Sequence, residues 1–124
     1  MKKPNIKYDE VSDTLTISFK PNALATGIEL TEHILLRLHK SDRAAISLTF
    51  FDYSIIAQTT DVGMHHFPLT GLAKLSDDLR EMVIEILQSE PVSQFIHLSA
   101  YTPSITEIIP IISLQAIPVL SNVA

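Results

Sequence analysis

The sequence predicts an α+β fold: an antiparallel β-meander over residues 6–54, one amphipathic helix over 71–89 that covers it, and an apolar C-terminal strand or arm over 92–120. Three observations support this prediction. Short segments in the first half alternate apolar and polar residues with a period of two, which is typical of strands with one buried face. A later segment repeats apolar residues every three or four positions, as helices do. The last third is almost free of charge.

The clearest strand pattern follows an acidic turn at residues 9–13. Leu15, Ile17 and Phe19 would share one face of an extended chain, with Thr and Ser side chains alternating on the other. Asp and Ser favour the turn because their side chains can hydrogen-bond their own backbone. We therefore predict a half-buried strand over residues 13–19, with a short first strand over 6–8 before the turn.

Three further segments show the same alternation, at residues 26–31, 34–39 and 44–53. The connection between the last two, residues 40–43, is short and polar, as expected for a hairpin turn. It lacks the Asn-Gly or Asp-Gly pair that is the strongest signal for such turns. Consecutive short strands with short turns indicate an antiparallel meander with one buried face.

The helical stripe consists of Leu72, Leu75, Leu79, Met82, Val83, Ile86 and Leu87. Thr70 or Ser76 can serve as the N-cap, because either hydroxyl can accept a hydrogen bond from a backbone N–H of the first turn. Pro91 ends the helix, since proline disfavours helical geometry in the residue before it. We expect this helix to lie across the apolar face of the sheet.

The C-terminal third combines high apolar content with two prolines. Residues 92–100 alternate as a strand would, whereas residues 105–120 are nearly all apolar. Pro110 and Pro118 exclude a regular helix or a central strand across that whole stretch, which leaves edge strands or an extended arm. We expect a subunit interface here, and packing on its own domain is the alternative. The predicted interface residues are Ile108, Ile109, Ile111, Ile112, Leu114, Ile117, Val119 and Leu120.

The size and composition of the chain bear on its assembly. A chain of 124 residues falls in the range of one domain. Apolar residues make up 46% of it and charged residues only 19%, which is more apolar surface than a small interior can hold. We therefore predict a homo-oligomer, with a twofold dimer as the first choice.

Charge and cysteine usage narrow the classes of function. Fourteen acidic against nine basic residues give a net charge of −5 without a basic patch, so we expect no nucleic-acid partner. No apolar run reaches the length of a membrane span, so we expect no membrane association. The absence of cysteine excludes disulfides and thiolate metal sites and fits a reducing compartment. Because no apolar run follows the N-terminal lysines as in a signal peptide, we expect a soluble cytoplasmic protein.

Few residues suggest catalysis or a metal site. The acid–base candidates lie at predicted strand ends and are Asp9, Asp13, His33 and His39. Carboxylates transfer protons near neutral pH when burial raises their pKa, whereas the acids here look like groups that cap a turn. The metal candidates are the adjacent His65 and His66, but neighbouring residues of an extended chain point apart, which works against a shared ion. Three glycines are too few for a phosphate-binding loop, and we expect no cofactor.

The first half of the chain also resembles a known family. The resemblance rests on Tyr8-Asp9, Asp13, the alternating Leu15-x-Ile17-x-Phe19, and two apolar strands that end in Ala45-Ile46-Ser47-Leu48 and Ser54. Over residues 6–54 this pattern resembles the small prokaryotic family catalogued as domain of unknown function 2283, whose members look like compact β-rich domains. The last strand of such sequences usually reads Gly-Ile-Glu-Ile. Here Ala45 and Ser47 stand in place of the glycine and the acid, so the role of that acid does not carry over.

The resemblance implies an antitoxin-like role, because members of that family look like candidates for the antitoxin half of toxin–antitoxin pairs. A small acidic protein with an exposed apolar arm could cover a basic toxin, with charge complementarity guiding the encounter. We therefore predict a non-catalytic, self-associating protein-interaction module with a basic protein partner. The alternative is a small enzyme or ligand-binding protein with acid–base residues at the sheet rim.

Overall fold

The computed structural model describes residues 4–20, 24–60, 63–64, 66–104 and 107–114. Its contacts divide the chain into two compact units, Met1–Ile56 and Ala57–Ala124. The boundary lies two residues after Ser54, where the strand pattern of the sequence ends. The predicted α+β class is confirmed, since a five-stranded antiparallel sheet, a small second sheet and one main helix are present. That residues 1–124 form a single domain stays a prediction.

The first unit contains the five predicted strands. They are β1 (Asn5–Asp9), β2 (Thr14–Ser18), β3 (Thr26–Thr31), β4 (Ile34–His39) and β5 (Ala44–Phe51), followed by one helical turn, α1 (Tyr53–Ile56). The polar turn between β4 and β5 is also confirmed, with the backbone N–H of Arg43 donating to the carbonyl of Lys40. Arg43 has a φ of 51°, a left-handed conformation that glycine or asparagine usually takes in such turns.

The strand order of this sheet is β1-β2-β5-β4-β3, with every pair antiparallel. Strands β3, β4 and β5 follow one another as a meander. The β1–β2 hairpin then joins the free side of β5 through β2, so the sheet is meander-like and does not follow strict chain order. Alternation in the sequence indicates which face of a strand is buried, but it carries no information about which strands are neighbours.

The apolar residues of the alternating strands form the core of the first unit. Phe50 lies opposite Leu15 on one side and Ile34 on the other, and all three are fully buried. The other deeply buried apolar residues of these strands are Ile17, Ile28, Leu30, Leu36, Leu38, Ala45, Ile46 and Leu48. The remaining β2 residues bear hydroxyl groups and are half-buried, so the predicted one-sided burial is confirmed there.

The main helix of the second unit, α2 (Asp77–Gln88), is shorter than predicted at its N-terminal end. The preceding residues form a 3₁₀ helix (Thr70–Lys74), and Leu75 is extended, with a ψ of 155°. Of the two N-cap candidates, Ser76 caps α2, because its hydroxyl accepts a hydrogen bond from the N–H of Leu79 at 3.3 Å. The helix ends before Pro91 as expected. It buries Val83, Ile86 and Leu87.

Replacing the cap should destabilise the protein modestly. We expect Ser76→Ala to lower the free energy of unfolding by about 1 kcal/mol, because it leaves an N–H of the first helical turn without its side-chain acceptor. The matched control is Thr70→Ala, since Thr70 is exposed and opens a 3₁₀ helix that has no side-chain cap. Urea denaturation compares the two variants. If Thr70→Ala lowered the free energy of unfolding as much as Ser76→Ala or more, the assignment of Ser76 as the cap would be contradicted.

The second unit contains a three-stranded antiparallel sheet. The strands of this sheet are β8 (His66–Pro68), β9 (Ile96–Ser104) and β10 (Glu107–Leu114), and they lie in the order β8-β10-β9. A separate small hairpin precedes them in the chain and consists of β6 (Thr59–Thr60) and β7 (Gly63–Met64). The predicted strand over 92–100 begins four residues late, since Val92–Gln94 is a 3₁₀ helix. Helix α2 packs against β9. No helix in the described part of the chain has the length and apolar content needed to cross a bilayer.

The position of β10 corrects one expectation. It is the middle strand of its sheet and contains Pro110, whereas the prolines led us to predict an edge strand or arm. The carbonyl of Pro110 accepts a hydrogen bond from the N–H of Leu69, at the end of β8. The N and C=O of one strand residue point to the same side, so the donor that proline lacks also faces the β8 side. The carbonyl of Leu69 instead accepts from the N–H of Leu72, which opens the 3₁₀ helix.

The predicted interface residues fall into three groups. Ile112 and Leu114 are already buried in this single chain, which matches the alternative that they pack on their own domain. Ile111 is half-buried, and Ile108 and Ile109 are also part of β10. The rest, Ile117, Val119 and Leu120, lie outside the described residues. A role for these residues in an interface stays a prediction.

Candidate functional site

Three loop segments meet at one end of the five-stranded sheet. Thr14, which opens β2, lies opposite Phe51, which closes β5. The N–H of Phe51 donates to the carbonyl of His33 at 2.8 Å, and the N–H of Tyr53 donates to the carbonyl of Asp13 at 2.9 Å. Both turns and the segment after β5 are therefore held together by backbone hydrogen bonds. We call residues 9–14, 31–34 and 51–56 the acidic end.

The carboxylate of Asp13 is the centre of the hydrogen bonding at the acidic end. It accepts from the hydroxyl of Tyr8 at 2.5 Å, from the hydroxyl of Ser54 at 2.6 Å and from the N–H of Ser54 at 3.0 Å. Asp13 has a φ of 53°, a left-handed conformation that Asp tolerates better than most residues. Tyr8, Asp13 and Ser54 are among the residues that carry the family resemblance, and they form one contact cluster.

The hydrogen bonds set the protonation states in this cluster. Donation from Ser54, and then from Tyr8, lowers the pKa of the Asp13 carboxyl below its ordinary value. The same bond to Asp13 is the main reason that the pKa of Tyr8 is raised to about 12. At neutral pH Asp13 is therefore ionised and Tyr8 protonated. Neither group has a pKa near 7, where general acid–base catalysis is most effective.

His33 lies between two carboxylates at the same end. Its Nε2 is 3.3 Å from an oxygen of Glu32, and its Nδ1 is 3.3 Å from an oxygen of Asp52. The hydroxyl of Thr31 accepts from the N–H of His33 at 3.0 Å, which fixes the tight β3–β4 turn. Asp52 has a φ of 56°, so the chain changes direction immediately after β5.

The structure brings three of the four acid–base candidates to one end and separates the fourth. Asp9, Asp13 and His33 belong to the acidic end, whereas His39 closes β4 at the opposite end of the sheet. A six-residue strand is about 20 Å long, which separates the two histidines. His39 instead accepts from the N–H of Asp42 in the β4–β5 turn at 3.2 Å.

Two adjacent histidines, His65 and His66, are the metal candidates of the sequence. Within the described residues, no group of three or more His, Asp or Glu side chains is placed to hold an ion. His65 lies outside the described residues, and His66 is part of β8. A metal site at this pair stays a prediction.

Apolar side chains at the acidic end are exposed. Val11 is 98% exposed, Ile55 60% and Phe51 40%. Leu24, near the other end of the sheet, completes the set of large exposed apolar residues within the described chain. Three of the four therefore lie at the acidic end. Sequence reasoning missed this surface, although a valine inside an acidic turn and paired isoleucines after a predicted strand end were visible signals.

The charge at this end has one sign. Its carboxylates are Asp9, Glu10, Asp13, Glu32 and Asp52, and its three segments contain no Lys or Arg. Asp13 is engaged by Tyr8 and Ser54, while Glu10, Glu32 and Asp52 are exposed. The acidic end thus exposes three apolar side chains in segments that hold carboxylates and no Lys or Arg.

An open cavity shares Asp9, Ser12 and Thr14 with the acidic end and extends along the β1–β2 hairpin. It has a volume of about 450 Å³ and is lined by Lys7, Tyr8, Asp9, Ser12, Thr14 and Thr16. The lining groups are hydroxyls, one amine and one carboxylate. The cavity could take a small polar ligand, and within its lining the hydroxyl of Ser12 donates to the carboxylate of Asp9 at 2.8 Å.

Comparisons with models of known protein families, with curated proteins and with solved structures find no match to this chain. The resemblance of residues 6–54 to domain of unknown function 2283 therefore stays a prediction.

Proposed function

We propose that the protein is a non-catalytic, self-associating interaction module of antitoxin-like character, and that its acidic end binds a basic partner protein. The observation that carries this proposal is the exposure of three apolar side chains, Val11, Phe51 and Ile55, in segments that hold five carboxylates and no Lys or Arg. An apolar centre with a polar rim is the arrangement of protein–protein interfaces.

The apolar and charged parts of this surface would play different roles. Burying a Val or Ile side chain contributes about 1.5–3 kcal/mol, so Val11 and Ile55 would supply much of the affinity. Surface carboxylates contribute less to affinity, but they speed the encounter with a positive partner and repel a negative one. Because no Lys or Arg interrupts them, the fitting partner is basic.

The protonation states at the acidic end support the non-catalytic part of the proposal. Asp13 is the most strongly hydrogen-bonded acid there, and its three donors leave it a structural acceptor. Its lowered pKa and the raised pKa of Tyr8 keep both groups from exchanging protons near pH 7.

One observation favours the alternative of a ligand-binding protein or small enzyme, namely the 450 Å³ cavity on the β1–β2 hairpin. In that case Lys7→Ala should abolish binding of a small anionic ligand, because Lys7 supplies the positive charge of the lining. Val11→Ser should leave such binding unchanged, since Val11 does not line the cavity.

The proposed interaction predicts a specific effect of the double variant Val11→Ser with Ile55→Ser. Full-length protein would be used to capture a partner from the native host, and the purified pair would be measured by titration calorimetry. We expect a basic partner whose binding the double variant weakens at least about tenfold, because the buried apolar area is lost. Leu24→Ser is the matched control, since Leu24 is 89% exposed but lies away from the acidic end.

Two results would count against this function. If a captured protein binds the double variant as tightly as the wild type, the acidic end is not its binding surface. If the association rate does not fall when salt is raised from low to physiological concentration, the partner is not recognised through its positive charge.

A further inference from the structure

The outer edge of β9 is open to another strand. β9 is the last strand in the order β8-β10-β9, and no strand among the described residues pairs with its outer side. It is nine residues long, Ile96–Ser104, and contains no Asp, Glu, Lys or Arg. An edge of this kind presents unpaired N–H and C=O groups to any extended chain of suitable shape.

The hydrogen-bond pattern of the sheet shows which backbone groups face outward. The carbonyl of Pro110 faces β8, so the backbone N–H and C=O of the next residue, Ile111, face β9. On that side Ile111 lies opposite Ser99. The N–H and C=O of Ser99 therefore point into the sheet. Directions alternate along a strand, so those of Leu98 and Ala100 point away from it.

The other sheet edges of the described chain carry the features that block pairing. β1 bears Lys7 and Asp9, and β3 bears Glu29. β8 has only three residues and ends in Pro68. Charges, short length and proline are the usual protections of edge strands. β9 has neither a charge nor a short length, and its one proline, Pro103, stands next to its last residue. Residues 96–102 therefore lack these protections, which indicates that their edge is covered in the assembled protein.

We propose that the outer edge of β9 pairs antiparallel with β9 of a second copy, about a twofold axis at Ser99. In this register Leu98 of each copy lies opposite Ala100 of the other, and each of these outward-facing residues gives and accepts a hydrogen bond. The two small sheets then become one sheet with three strands from each copy. This inference rests on the self-association in the proposed function and names its surface.

Charge and symmetry favour a second copy over another occupant. An uncharged strand meets itself without repulsion, whereas a charged segment of a different protein would find no counter-charge on β9. A twofold axis also closes the assembly, so that no edge of β9 remains for further addition. The axis at Ser99 places His97 opposite residue 101 of the second copy and not opposite another histidine.

A recess next to this edge gives the second copy a place to pack. It has a volume of about 300 Å³, is open to solvent, and is lined by Ile84, Gln88, Leu98, Ser99 and Pro110. Leu98 thus combines an outward-facing backbone with a side chain in the recess. Side chains that cross the twofold axis would fill this space and add apolar contact to the backbone hydrogen bonds.

Amide hydrogen exchange of the full-length wild type tests the edge directly. We expect the amides of His97 and Ser99 to have protection at all concentrations, since they bond within the sheet. Exchange would be measured over a series of protein concentrations. We expect the amides of Leu98 and Ala100 to be protected only at the concentrations where light scattering gives the mass of a dimer. Fast exchange of Leu98 and Ala100 in the dimer would overturn the proposal. Protection of both in a monomer would also overturn it, and would place residues 115–124 of the same chain on the edge.

A pair of variants separates the edge from the side-chain packing. Leu98→Ala removes the side chain, and Leu98→Pro also removes the outward donor without breaking a bond to β10. Relative to Leu98→Ala, we expect Leu98→Pro to weaken dimerisation at least about tenfold, because the two copies lose one donor each. Equal dimerisation of the two variants would overturn the register. If Leu98→Pro does not fold, the exchange experiment on the wild type decides.

Failure of this inference is distinguishable from failure of the proposed function. The double variant Val11→Ser with Ile55→Ser should keep the dimer mass, because neither residue is in β9. Conversely, if the protein dimerises through another surface, the proposal for the β9 edge is wrong. Binding of the basic partner at the acidic end would be unaffected by that result.

Discussion

Phe50→Ala should lower the free energy of unfolding by about 3–5 kcal/mol. Phe50 is fully buried and lies between Leu15 and Ile34 in the middle of the five-stranded sheet. Its ring also meets the ring of Tyr53 edge to face, with centroids 6.1 Å apart. Truncation removes the transfer free energy of the ring and leaves a cavity in a sheet that cannot collapse without losing register. Domains are typically stable by 5–15 kcal/mol, so this is a large share.

The neighbouring residue supplies the control for this prediction. Phe51 has the same side chain but lies on the other face of β5 and is 40% exposed. We expect Phe51→Ala to change the free energy of unfolding by less than about 1 kcal/mol. Urea denaturation of both variants, followed by circular dichroism, measures the difference. Similar losses for the two variants would show that the assigned faces of β5 are wrong.

Asp13→Asn should destabilise the first unit and remove part of its acid sensitivity. The amide of Asn cannot accept from Tyr8 and from both donors of Ser54, so at least one donor is left without its acceptor. The pKa of Asp13 is lower in the folded protein than its ordinary value of 3.8. The unfolded chain therefore binds a proton first as the pH falls. The stabilisation is complete above pH 3.8 and is lost as the pH falls through the folded-state pKa.

Thermal unfolding between pH 2 and 7, about the range in which carboxylates titrate, checks this prediction. As the pH falls toward 2, the unfolding temperature of the wild type should decrease more steeply than that of Asp13→Asn. Asp9→Asn is the control, because the carboxylate of Asp9 bonds only within its own turn, to Val11 and Ser12. Its unfolding temperature should fall less than that of Asp13→Asn. Parallel pH profiles for the wild type and Asp13→Asn would contradict the role of the ionised carboxylate.

The same cluster predicts an opposite effect at alkaline pH. The pKa of Tyr8 is about 12 in the folded protein against 10.0 ordinarily, so the unfolded chain loses this proton first. The contribution of Tyr8 is complete below pH 10 and is lost as the pH rises through about 12. Tyr8→Phe removes the titrating group and should flatten this part of the profile.

Much of the fold could be predicted because alternation and helical spacing report burial. The residues that alternate at Leu15 and Ile17 are buried in β2, and the apolar stripe at Val83, Ile86 and Leu87 is buried in α2. The apolar stripe of the sequence starts before helix α2 does. Leu72 and Leu75 fit the helical spacing, but Leu72 lies in a 3₁₀ helix and Leu75 is extended. Periodicity in apolar residues does not separate these geometries at helix ends.

The candidate site was less predictable because it depends on which strands are neighbours. Asp13 and Ser54 are 41 residues apart and meet only because β2 pairs with β5. Their positions at predicted strand ends identified Asp13 and His33 as candidates. The same criterion could not separate them from His39, which lies at the other end of β4. The exposure of Ile55 follows from the sharp change of direction at Asp52, which leaves no periodic signal.

Pro110 gives the sheet of the second unit its asymmetry. A proline in a middle strand interrupts hydrogen bonding on one side only, and here that side faces β8. Pairing with β8 therefore covers only Ile111 to Ser113, while pairing with β9 continues beyond the proline to Glu107. On the β9 side the paired residues reach Glu107, whereas on the β8 side they stop at Ile111, opposite Pro68 at the end of β8. The sheet is therefore wider along one half of its middle strand than along the other.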